Sequence, residues 1–121
     1  MCDFAGYVAP EIIKVRPVVV ISADSPGSSR LCIVVPFSTT PPRIVRSVHF
    51  HVPAGRYAFA QDEQWVKGDL IAHVRFERLD RVRVKGRFRR FDLPAADFAE
   101  IRKCVLHAIG LGKLASASPS T

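Results

Sequence analysis

Residues 14–40 read KVRPVVVISADSPGSSRLCIVVPFSTT, and this stretch decides the fold. Its first apolar run, PVVVIS at 17–22, is short, β-branched and has no polar alternation until its end, the mark of a buried strand. ADSPGSSR at 23–30 is a loop by composition. LCIVVPF at 31–37 is a second buried strand, stopped near Pro36, and Cys32 inside it reads as a small buried hydrophobe. STTPPR at 38–43 is a second loop.

Outward from this pair, IVRSVHFHV (44–52) alternates: Val48, Phe50 and Val52 share one face, Ser47, His49 and His51 the other, as in a half-buried strand. PAGRYAFAQDEQ (53–64) reads as a long excursion. WVKGDLIAHV (65–74) reads as a further strand with Gly68 a candidate bulge. RLDRVRV (78–84) is a basic strand, with a turn starting at Gly86. From Pro94 to Leu111 the period changes. Phe98, Ile101, Val105, Ala108 and Ile109 recur at three- and four-residue steps, the pattern of an amphipathic helix. Pro94 suits its first turn, and Gly110 and Gly112 are candidate stops. Short strands followed by one terminal helix predict a mainly β, α+β fold, a small curved barrel or sheet with the helix packed on it.

The chain has 121 residues, and a domain typically runs to roughly 100–200. One domain is expected over 1–114, with a disordered tail at 115–121 (ASASPST). That length excludes a (β/α)₈ barrel of about 250 residues. No run reaches the ~18–20 apolar residues of a membrane span, and the N-terminus lacks the regions of a secretory signal. The expectation is a cytoplasmic chain with no membrane partner. Cys2, Cys32 and Cys104 match no zinc or CxxC spacing, and His49 with His51 lacks a visible third ligand. No metal and no cofactor are expected. P-loop, G-x-G-x-x-G, G-x-S-x-G and H-E-x-x-H motifs are all missing.

The formal net charge is +7. Its placement says more than its size. Residues 75–90 (RFERLDRVRVKGRFRR) hold eight basic groups against two acids, and so +6 of the +7. Arg81, Arg83 and Lys85 alternate with Val82 and Val84, a strand with one basic face. That face is either merely solvated or a surface that tracks phosphates.

At Arg16-Pro17 the reading becomes specific. KVRPVVVIS, a loop and then CIVVPFSTT resemble the PemK/MazF family of toxin–antitoxin endoribonucleases, in which an Arg-Pro opens a buried strand and a second strand ends in Pro-x-Ser/Thr-Thr. CDF at 2–4 looks like the end of the family's first strand, and Glu11 stands where many members carry a loop acid. KGDLIAHVRFERL (67–79) resembles the family's basic-x-Asp-Gln-(x)₈-Arg-Leu segment, with Lys67 and Asp69 in the basic and acidic positions and Arg78-Leu79 at the usual interval. The terminal helix matches as well, and the resemblance covers about residues 2–112. Leu70 replaces the common Gln, and Pro41-Pro42 enrich the second loop. Against the family the chain is expected to be complete at its C-terminus and one partial strand short at its start. The resemblance implies a small SH3-like barrel of the PemK/MazF (CcdB-like) type.

It also implies metal-free cleavage of single-stranded RNA, in which the substrate's 2′-OH attacks phosphorus and leaves 2′,3′-cyclic phosphate and 5′-OH ends. Such a step needs a base, an acid and positive donors for the phosphorane. Arg16 offers a planar fork for phosphate oxygens; its alternative is an ordinary strand-edge arginine. Ser38 can donate its hydroxyl, with Thr39 its near alternative; otherwise it caps the loop. Asp69 and Glu11 both stand as candidates for the general base, and either needs a low-dielectric setting to act near neutrality. The alternatives are a salt bridge from Asp69 to Lys67 or Arg78, and a solvated loop acid at Glu11. Lys67 stabilises charge or serves as the acid. His73, two-residue alternation says, shares a face with Lys67 and Asp69. Arg78, Arg81, Arg83 and Lys85 complete the RNA-binding candidates. Trp65, Phe37, Tyr57 and Phe59 can stack on bases, or Trp65 can anchor the core or a subunit interface. The partners implied are single-stranded mRNA, a second copy of the chain forming a homodimer with RNA in the groove between, and a cognate antitoxin. The competing reading is a non-catalytic module on the same fold, binding nucleic acid or a protein as the gyrase poisons do.

Overall fold

The protein is described here from a computed structural model that covers residues 1–2, 16–22, 31–75, 78–79, 82–84, 87–89 and 91–116. In chain order the elements are β1 (Val18–Val20), β2 (Leu31–Ser38), β3 (His49–Val52), β4 (Gln64–Lys67), β5 (Ala72–Arg75), β6 (Val82–Val84), β7 (Arg87–Arg89), α1 (Ala95–Ala108) and α2 (Gly112–Ser116). The architecture is mostly β with a C-terminal helix, an α+β fold.

β2 organises the sheet because it is the one long uninterrupted apolar strand, and Val34 through Ser38 are all buried. Such runs arise where both faces of a strand are covered. β1 pairs with it antiparallel, Val18 opposite Pro36 and Val20 opposite Val34. Its other edge is shared. β5 takes the first half, from Leu31 opposite Arg75 to Val34 opposite Ala72. β4 takes the end, with Phe37 opposite Val66 and Ser38 opposite Trp65. β3 then pairs with β4, from His49 opposite Lys67 to Val52 opposite Gln64. The result is one five-stranded antiparallel sheet, with β6 and β7 a separate two-stranded ladder. Among the described residues the ladders do not close into a barrel. Cys2 makes two isolated bridges, one to Arg16 and one to Leu79; of the strand end expected at residues 2–4, residues 3 and 4 lie outside the described residues.

Directly opposed residues of antiparallel strands point to the same face. Val19, Val35, Phe37, Val52 and Val66 therefore build one core with Tyr57, Ala60 and Ile101. The opposite face carries a smaller cluster of Cys2, Cys32, Val34 and Val74. Cys32 and Cys104 are buried free thiols, as their apolar settings predict. Burial pushes both thiols above their ordinary range.

Helix α1 buries Asp97, Ile101 and Cys104. Ile109 stays exposed, so the buried stripe runs through Cys104 rather than Ile109. Pro94 is its N-cap residue. Gly110 ends it at φ +82°, with Gly110 N–H donating to the His107 carbonyl and Leu111 N–H to that of Leu106. These two bonds form a Schellman stop. Gly112 is no second stop; it opens α2. No described helix is long and apolar enough to cross a membrane.

Two strand expectations need correcting. The 44–52 run is a strand only from His49, because a turn over 46–49, closed by His49 N–H on the Arg46 carbonyl, leaves Ile44 and Val45 exposed. The 65–74 run is two strands. Leu70 N–H donates to the Lys67 carbonyl, and the chain turns there between β4 and β5.

Candidate active site

The turn after β4 is fixed by contact with the helix. Gly68 N–H donates to the Val48 carbonyl at 2.9 Å. A Cβ on Gly68 would lie 2.9 Å from Cys104 Cβ and from the Val48 oxygen. Only glycine lets the sheet approach α1 this closely. Lys67 and Asp69, on either side, take their places from that contact.

Ser38 is 4% exposed and ends β2 opposite Trp65. Its Oγ accepts the Thr40 N–H at 3.1 Å. This is the loop-capping bond that the sequence offered as an alternative role. The bond uses a lone pair on Oγ and leaves the hydroxyl proton available to donate. Thr39 is exposed just beyond the strand.

Arg16 stands two residues before β1. Phe37 N–H donates to the Pro17 carbonyl at 2.9 Å, which carries the β1–β2 register back past Val18. One more step sets Arg16 opposite Ser38. The Arg16 backbone is also tied to Cys2, through N–H···O distances of 2.7 and 3.0 Å. Its Nε is buried with no hydrogen-bond partner among the described residues. A buried guanidinium donor without an acceptor is uncommon in a finished structure.

A row thus runs across four neighbouring strands: Arg16, Ser38, Trp65, His51. Lys67, two residues from Trp65 and opposite His49, shares that face. His49 Nδ1 accepts the Arg46 N–H at 3.0 Å. His51 Nε2 lies 3.3 Å from Glu63 Oε2, and its ring sits 4.6 Å from that of Trp65. Among the described residues, no three His, Cys, Asp or Glu side chains are grouped to hold a metal ion.

The other candidates are placed differently. Asp69 is exposed in the turn, and it forms no salt bridge to Lys67 among the described residues. The low-dielectric setting asked of it is not supplied by packing among the described residues. His73 stands on β5 opposite Ile33. The intervening turn breaks the alternation that would have put it on one strand face with Lys67. Arg78 is half-buried. Arg83 lies in β6 opposite Phe88 of β7, a strand that the sequence reading did not anticipate. Glu11, Arg81 and Lys85 lie outside the described residues.

The stacking candidates divide as well. Phe37 and Tyr57 are core residues, 2% and 3% exposed. They pack edge-to-face with each other at 6.2 Å, and Phe59 stacks on Tyr57 at 5.6 Å. Trp65 is half-buried, and its Nε1 is buried with no partner among the described residues.

An ion pair between exposed Arg56 and buried Asp97 escaped the sequence reading. Asp97, in the first turn of α1, accepts Arg56 Nε at 3.0 Å, Arg56 Nη2 at 2.7 Å and the Tyr57 hydroxyl at 2.5 Å. The Arg56 bonds hold the Asp97 carboxyl below its ordinary value, with burial opposing. Burial, then the bond to Asp97, pushes the Tyr57 phenol up to about 12. Asp97 also sits favourably at the positive end of the helix. The carboxylate bolts α1 to the 53–60 excursion behind the site. Its signal in the sequence was an acid on the buried helical stripe, one turn before Ile101.

Residues 1–109 match the family described as PemK-like, MazF-like toxin of type II toxin–antitoxin system. The chain is also 33% identical over 112 residues to the Escherichia coli (strain K12) protein YifN, covering 88% of this chain and 74% of YifN.

Proposed function

The chain belongs to the family of PemK-like, MazF-like toxins of type II toxin–antitoxin systems, whose members are generally endoribonucleases, and from that premise we propose that it cleaves single-stranded RNA without a metal cofactor. The observation that supports this most is the pairing of Arg16 with Ser38. Two phosphate donors stand opposite each other on adjacent strands, with Arg16 Nε buried and unsatisfied and Lys67 on the same sheet face.

The chemistry follows from these groups. The ribose 2′-OH attacks phosphorus, its proton goes to a carboxylate base, and the 5′ oxygen leaves with a proton. The ends are a 2′,3′-cyclic phosphate and a 5′-OH. Arg16 and Ser38 donate to the non-bridging oxygens as charge builds there. Lys67 adds positive charge or supplies the leaving-group proton. Asp69 or Glu11 is the base. An exposed Asp69 becomes enclosed only when RNA or a second protomer covers the turn, which fits a homodimer with RNA in the groove between subunits. The five-stranded antiparallel sheet with its C-terminal helix is compatible with the SH3-like barrel proposed for this chain. A type II toxin implies an antitoxin partner, and an acidic or apolar tail suits this basic chain.

Induced expression in a bacterial host tests the reading. Growth arrest with rapid mRNA loss, abolished by Arg16→Ala, is the expected outcome. Arrest with intact mRNA and a DNA-damage response would replace it with the gyrase-poison reading.

A further inference from the structure

Ser38 has an unsatisfied donor on each side. Arg16 Nε and Trp65 Nε1 are the buried side-chain nitrogens without a hydrogen-bond partner among the described residues, and both belong to positions opposite Ser38 on its two flanking strands. We propose that the Trp65 indole N–H is a third phosphate donor, completing a cradle of Arg16, Ser38 and Trp65 around the scissile phosphate. The inference rests on the ribonuclease reading and adds to it a catalytic residue.

Three physical points carry it. A buried indole N–H ordinarily finds an acceptor, so one left unpaired beside a second unpaired donor marks a place prepared for an acceptor from outside. Both orphans are donors, which selects an anion. The spacing suits a phosphate: adjacent strands lie about 4.8 Å apart, so the backbone positions that carry the two donors flank Ser38 on opposite sides. The indole is braced on its far side, where the His51 ring tilts over it at 4.6 Å and His51 is itself held by Glu63. The N–H donates a hydrogen bond to a non-bridging oxygen and keeps its proton throughout, so the bond-making and bond-breaking steps are unchanged.

The sequence contains a single tryptophan, so the indole gives one ¹⁵N–¹H signal in the full chain. Titration of labelled protein with inorganic phosphate, and separately with a nucleoside 2′,3′-cyclic phosphate, should move that signal downfield to saturation. The movement should be weakened in Arg16→Ala. A silent indole, whether or not the Ser38 amide shifts, overturns the proposal. In RNA cleavage assays Trp65→Phe keeps an aromatic ring and loses the donor. It should lower kcat by roughly 10²-fold, as removal of one such donor does elsewhere, with little change in KM. Wild-type kcat in a folded Trp65→Phe overturns the assignment. If that variant does not fold, the titration of the wild-type chain still decides. An indole that answers phosphate in a protein that cleaves no RNA would sink the nuclease reading and leave the cradle standing. Cleavage with a silent indole would do the reverse.

Discussion

At the scale of single residues, Arg16 is where structure and chemistry meet most closely. Its backbone is locked to Cys2 and its register to β2, so the guanidinium starts from a rigid base. Removing one pre-positioned donor from such a site costs about 3 kcal/mol of transition-state stabilisation. Arg16→Ala should therefore cut kcat by a factor of 10² or more while the melting temperature changes little. A wild-type rate in that variant would remove Arg16 from the mechanism. In the proposed mechanism Ser38 would carry two roles, since its oxygen also holds the Thr40 N–H. Ser38→Ala thus mixes catalysis with loop geometry, and Ser38→Thr, which keeps the hydroxyl, should recover most of the activity. The sequence singles out Arg16 and Ser38 as candidates because each sits in a short, distinctive string. It does not single out Trp65 as the donor proposed above. The meaning of Trp65 lies in what faces it across β2, and cross-strand partners leave no mark in a linear reading.

At the scale of elements, the site depends on how α1 is docked. Gly68 lets the β4 turn touch the helix at Cys104. An added methyl there meets a backbone oxygen and a helix Cβ, neither of which is the end of a flexible chain. Gly68→Ala should cost about 1–3 kcal/mol through overpacking and should also slow cleavage, since Lys67 and Asp69 flank the turn. An unchanged denaturation midpoint would contradict this account of the contact. The second fastening is Asp97 with Tyr57 and Arg56. Tyr57→Phe removes a buried hydrogen bond to a carboxylate, and a loss of roughly 1.5–3 kcal/mol is expected. The pH dependence has two edges. The Asp97 carboxyl is depressed in the folded state, so its contribution is present above its unfolded value near 4 and lost as pH falls through the lower folded value. The Tyr57 phenol is raised to about 12, so its contribution is whole below about 10 and lost as pH rises through 12. Denaturation midpoints across pH should show both edges, and Tyr57→Phe should flatten the alkaline one. The helix itself could be read from periodicity. Its fastening could not, because Arg56 and Asp97 are far apart in sequence and an acid on the buried stripe does not say which residue pairs with it.

At the scale of the whole molecule, charge and the proposed chemistry occupy different parts of the chain. Residues 75–90 carry +6 of the net +7, whereas the proposed catalytic residues Arg16, Ser38 and Lys67 lie before that window. Binding of single-stranded RNA should therefore weaken with salt, at a log–log slope of about −0.7 per phosphate contacted. Replacing Arg81 and Arg83 with Ala should flatten that slope by one to two such contacts and raise KM, with kcat nearly intact. A collapse of kcat at constant KM would put these arginines in the chemistry instead. The sheet's overall plan was visible in the sequence, since β2 and its apolar neighbours announce a buried strand set. The turn splitting 65–74 was hidden, because Gly68 and Asp69 fit a bulge as well as a turn, and only the packing of α1 distinguishes them.

In the proposed mechanism the Arg16–Ser38 pair supports attack by the substrate's own 2′-OH. The most direct measurement is the chemistry of the cut ends. Purified full-length protein should cleave single-stranded RNA in excess EDTA, with 2′,3′-cyclic phosphate on one fragment and a 5′-OH on the other, and Arg16→Ala should yield neither at a comparable rate. Intact RNA, or fragments ending in 3′-OH and 5′-phosphate, would contradict it.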